Sequence, residues 1–86
     1  MNFQGAVIKE QGVTFAIVIV KKSVIDNRTE AIEAIKGFQQ CFPGLPIVLM
    51  AQDQSGVPTY YGRPDISKFL ASVPLQAIPW KQYTIS

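Results

Sequence analysis

The chain alternates short apolar stretches with polar turns, and two of its segments repeat their apolar residues at helical spacing. Phe3-Gln4-Gly5-Ala6-Val7-Ile8-Lys9 is the first stretch, and after Glu10-Gln11-Gly12 a second runs from Val13 to about Lys21. A glycine between two β-branched runs predicts a hairpin of antiparallel strands with a short turn. The second strand places Phe15, Ile17 and Ile19 on one face and Ala16, Val18 and Val20 on the other. A strand apolar on both faces belongs in the middle of a sheet covered on both sides.

Asn27-Arg28-Thr29-Glu30 then carries a capping residue followed three positions later by a glutamate, the start of a helix. Ala31, Ile35, Phe38 and Phe42 form its apolar stripe, widened by Ile32, and Pro43-Gly44 ends it near Cys41 or Phe42. Pro46 opens a third apolar run, Ile47 to Ala51, which reads as a buried strand. Gln52 to Gly56 is turn chemistry, and Val57 to Tyr61 is the hairpin partner, kept at a sheet edge by Pro58. Arg63-Pro64-Asp65 starts a second helix, with Ile66, Phe69, Leu70 and Val73 on one side, and Pro74 ends it. The tail, residues 75–86, has Leu75, Ile78, Pro79, Trp80, Tyr83 and Ile85 and no period beyond that of an edge strand.

The order β-β-α-β-β-α predicts one α/β or α+β domain over residues 1–86, a mixed four-stranded sheet with two helices. The tail packs on the domain or adds an edge strand. The strand ending near Lys21 and the one starting at Ile47 read as parallel neighbours, since the residues between them are enough for a crossover, and the helices are expected on opposite faces.

Charge sharpens this picture. Only 16% of residues are charged, against about 25% in an average protein, and the net charge is +2. The eight cations are scattered, with Lys21-Lys22 the one adjacent pair, so the clustered footprint of a nucleic-acid binder is missing. Phe15 to Val20 is the longest apolar run, far below the ~20 residues that span a bilayer. No membrane association is expected. The single cysteine, Cys41, cannot close an internal disulfide, and the expected location is the cytoplasm.

Candidate chemistry is sparse. Without histidine the chain lacks the commonest general base and the usual zinc ligand, and its six acids show no calcium-loop spacing. Its glycines stand singly, so no phosphate-binding loop is present. No catalytic residue, metal or cofactor is assigned, and the protein is read as not an enzyme. Cys41, near the negative end of a helix, reads as a small hydrophobe rather than an activated thiol.

Gly44-Leu45-Pro46-Ile47-Val48-Leu49, a polar turn, Tyr60-Tyr61-Gly62-Arg63 and the helix from Asp65 to Val73 resemble the C-terminal half of thioredoxin-like proteins. The resemblance implies a proline before a strand, a hairpin partner, a glycine and a covering helix, with Pro46 at the position of a cis proline. The chain departs from that family in having no C-x-x-C, so thiol–disulfide exchange does not follow.

The remaining signal is aromatic. Tyr60, Tyr61, Arg63 and Trp80 are of the residue types enriched at interface hot spots, and they are the candidate interface. Two short helices cover little of a sheet whose central strand is apolar on both faces, so part of a face is expected to stay exposed and to pair in a homodimer that needs no residue of the tail. The function expected is a non-enzymatic interaction module, self-associating or binding a protein partner through a sheet edge or exposed apolar face. The alternative is a thioredoxin-like domain without the redox pair, with a ligand groove near Pro46.

Overall fold

Backbone pairing explains why the doubly apolar strand lies at the centre. The computed structural model describes residues 2–10 and 12–84. Strand β1 (Asn2–Glu10) and strand β2 (Val13–Ile19) form the antiparallel hairpin, in register from Gly5 opposite Val18 to Glu10 opposite Val13. Gly12 takes φ +79° in the turn, a conformation that costs glycine nothing. Gln11, the other residue of that turn, lies outside the described residues.

After β2 the chain makes a short helix α1 (Lys22–Asp26), then helix α2 (Arg28–Gln39), and returns as strand β3 (Ile47–Gln52), parallel to β2. Asn27 separates the two helices. Its extended backbone and its side-chain oxygen, which accepts from the Glu30 N–H at 3.2 Å, cap α2 as the sequence predicts. The turn of helix before that cap was not expected; Lys22 and Asp26 hold it with an exposed ion pair. Strand β4 (Pro58–Tyr61) pairs antiparallel with β3 and forms one edge of the sheet, where Pro58 belongs. Helix α3 (Pro64–Leu70) follows, then a 3-10 turn (Leu75–Ala77) and strand β5 (Lys81–Thr84).

The sheet therefore has five strands in the order β4-β3-β2-β1-β5, and the domain is a small α+β fold. The four-stranded count is corrected by β5, which pairs with β1 from Asn2 opposite Thr84 to Gly5 opposite Lys81. Helices α1 and α2 pack on one face with Phe3, Ala16, Val18, Ile47 and Leu49. Helix α3 packs on the other with Ala6, Phe15, Ile17, Val48 and Met50. The helices thus take opposite faces, as the two apolar sides of β2 required.

The tail adds cover to both faces of the sheet. Ile78 is buried on the α3 side, with Leu75 and Trp80 packed beside it, and Tyr83 stacks on Phe3 at 5.3 Å between ring centroids on the α2 side. Each helix is short, and the tail supplies the apolar area that they lack. Ile85, the last apolar residue of the tail, lies outside the described residues. Ile32, counted in the apolar stripe of α2, is exposed because the stripe turns toward the sheet through Ala31 and Phe38.

Candidate functional site

The crossover from β2 to β3 shapes a large hollow. Helices α1 and α2 leave the end of β2 and run closest to β3 and β4. The end of β2 and the start of β1 lie beside the flanks of α1 and α2. There an open groove of about 790 Å³ is lined by Phe3, Ile19, Val20, Val24, Ala34 and Phe38, with Asn2, Lys21, Gly37 and Gln40 completing its walls. A hollow of about 290 Å³ shares Asn2, Phe3 and Ile19 with the groove and is flanked by Gln4 and Gln82. The groove lies within the range of roughly 300–1,000 Å³ usual for small-molecule sites and is apolar in lining, as those sites are.

Gly37 is the informative residue in this wall. It sits inside α2, where glycine destabilises a helix by roughly 0.5–1 kcal/mol relative to alanine. A Cβ at this position would meet no atom within 4 Å, so nothing in the described chain's packing requires the missing side chain. Gly5 and Gly62 differ from it, because a Cβ there would run into neighbouring strands.

The four interface candidates do not converge. Tyr60 and Tyr61 are half-buried on β4 and pack on opposite faces, Tyr60 with the α3 cluster and Tyr61 with the α2 cluster. Burial pushes the Tyr60 phenol above its ordinary pKa, and its hydroxyl, like that of Ser67, has no hydrogen-bond partner among the described residues. Arg63 is exposed and forms a bidentate pair with Asp65, whose carboxyl it holds below the usual range. Trp80 lies toward the opposite edge, just before β5, and its indole N–H donates to the Leu75 carbonyl at 3.1 Å. The three aromatic residues among them complete the two cores, and sheet order separates β4 from Trp80.

Pro46 stands at the start of β3, and its carbonyl accepts from the Ala16 N–H at 2.9 Å. The groove is at the far end of β2, since Ala16 pairs with Ile47 while Ile19 pairs with Met50. The groove therefore lies near Val20 rather than beside Pro46, and no cis peptide occurs among the described residues, so Pro46 does not take the conformation that the resemblance implied. Sequence reading missed the groove because its walls come from β1, β2, α1 and α2 together. Gly37, in the last turn of a capped amphipathic helix, was the available signal. Cys41 is half-buried against the α2-side core. Among the described residues no group of three potential metal ligands comes together, and no helix is long and apolar enough to cross a membrane.

Comparison with protein-family models, with curated proteins and with solved structures returns no match to this chain.

Proposed function

We propose that the protein is a non-enzymatic interaction module whose working surface is the apolar groove beside α2. The observation that carries this reading is the groove itself: a wall of Phe3, Ile19, Val20, Val24, Ala34 and Phe38 left open in a domain whose sheet is covered on both faces. Gly37 fits it, because a glycine in this wall leaves the groove wider than any side chain would. Such a site binds by burying apolar area and needs no catalytic group. The lone Cys41, without a disulfide partner in the chain, suits a reducing compartment such as the cytoplasm.

The test uses a neutral apolar dye, Nile red, and one substitution. Wild-type protein is expected to bind the dye with enhanced, blue-shifted emission. Gly37→Leu fills the groove and should suppress that signal. Because the new side chain enters open space and leucine favours a helix, the melting temperature should hold or rise, and Gly37→Ala should gain about 0.5–1 kcal/mol. Undiminished dye binding by a well-folded Gly37→Leu protein would remove the groove from consideration.

Self-association is the second reading, and a different observation favours it. Strand β5 pairs with β1 only as far as Gly5, so the outer edge of Ala6 to Glu10 has no strand beside it among the described residues, and Val7 is 41% exposed there. Pairing of two such edges in a homodimer would satisfy both. Sedimentation equilibrium should then show dimers whose population falls when Val7 is replaced by lysine; a monomer throughout a dilution series to ~100 μM would dismiss the dimer.

A further inference from the structure

We propose that the occupant of the groove is a single-chain aliphatic carboxylate, its hydrocarbon against the Phe3–Phe38 wall and its head group at the Lys21 and amide rim. The inference rests on the groove being the working surface and adds the chemistry of what it takes.

The lining divides by type. The side chains that fill the wall are aliphatic or aromatic, and none offers a polar atom to an occupant, which suits plain hydrocarbon. The polar residues of the groove and the adjoining hollow are Asn2, Gln4, Lys21, Gln40 and Gln82. Four are amides, each with a donor and an acceptor and so indifferent to the sign of a head group, and the fifth, Lys21, is a cation; no carboxylate lines either space. The one charge on the rim, that of Lys21, favours an anion and gives a cation no counter-charge. The neighbouring lysine is already engaged, with Lys22 Nζ 2.7 Å from Asp26 Oδ1, whereas Lys21 makes no ion pair among the described residues. Lys21 therefore meets an anionic head without first giving up a partner. The groove is open rather than enclosed, so the head can stay hydrated while the chain is buried, the arrangement an amphiphile requires.

Isothermal titration of the full chain with octanoate, decanoate and dodecanoate, each below its micellar concentration, reads chain length and charge separately. Affinity is expected to rise roughly threefold to fourfold per methylene, the value of one buried CH₂. Decanoate should bind about fivefold more tightly than decylammonium at low ionic strength, with the preference shrinking as salt is added. Lys21→Gln should erase the preference for the anion and keep the dependence on chain length, while Lys9→Gln, on the hairpin away from the groove, changes neither. Gly37→Leu should abolish binding of every amphiphile.

Decylammonium binding as tightly as decanoate, or a preference that survives Lys21→Gln, overturns the carboxylate assignment. If Nile red binds and Gly37→Leu removes it, yet decanoate neither binds nor displaces the dye, this inference falls and the binding-module reading stands. If neither dye nor amphiphile binds the folded wild-type protein, both fall.

Discussion

Removing residues 75–86 is expected to abolish cooperative folding, so that the truncated chain shows no sigmoidal thermal transition by circular dichroism and collects as aggregate. The segment forms no separate layer; it completes both cores. On the α3 side it contributes Ile78, buried to 4% exposure, with Leu75 and Trp80 packed beside it, and the Trp80 indole ties the segment to itself through the Leu75 carbonyl. On the α2 side Tyr83 stacks on Phe3 and meets Phe42 edge-on at 5.1 Å. Its loss also strips β5 from β1 and exposes the backbone groups of Asn2 to Gly5. Truncating one buried isoleucine to alanine costs about 2–5 kcal/mol, and removing large aromatic residues costs about 3–5. Losing several such groups consumes the roughly 5–15 kcal/mol by which a domain is stable. A truncated chain that melts cooperatively within a few degrees of the intact protein would show that the tail is dispensable.

Gly5→Val should lower the melting temperature by more than 10 °C, although strand propensity alone predicts a gain. Glycine weakens a strand interior and valine is a favoured strand residue, so the naive expectation is a small stabilisation. Gly5 is buried where β1 is flanked on both sides, by β2 and β5, and a Cβ there would lie 2.7 Å from the Ile17 carbonyl oxygen. That atom belongs to the backbone of the central strand and cannot swing aside. The Phe3 and Tyr83 rings stand 3.5 and 3.6 Å from the same point, so the remaining atoms of valine would also displace the aromatic stack. Overpacking of this kind costs about 1–3 kcal/mol or more, and each kcal/mol shifts the midpoint of a domain this size by roughly 4–8 °C. Thermal melts of Gly5→Ala and Gly5→Val beside wild type check both sign and order, with valine the worse. A variant as stable as wild type would mean that β1 shifts freely against β2.

The sequence by itself determined the elements and their handling of water. The β1–β2 turn follows from Gly12, the α2 cap from Asn27, the edge position of β4 from Pro58, and the central place of β2 from apolar residues at both Phe15-Ile17 and Ala16-Val18. These are local statements, readable because turn geometry, capping and side-chain period depend on residues a few positions apart. Helix α1 escaped notice because five residues give too little period to read. What the tail does was decided only by the tertiary structure. Leu75, Ile78, Trp80 and Tyr83 have no period of their own; their partners, Ala6, Phe3 and Phe42, lie more than thirty positions away, and only a closed sheet edge brings them together. The apolar surplus that implied an open face is buried in part by the chain's own end and in part left in the groove beside α2. The separation of Tyr60 and Tyr61 from Trp80 and the placing of the groove at Val20 rather than Pro46 are consequences of strand order. No single-chain pattern encodes which edge a strand will take, because that choice is settled by long-range pairing and packing, whose loop-closure cost and burial gain depend on the whole fold.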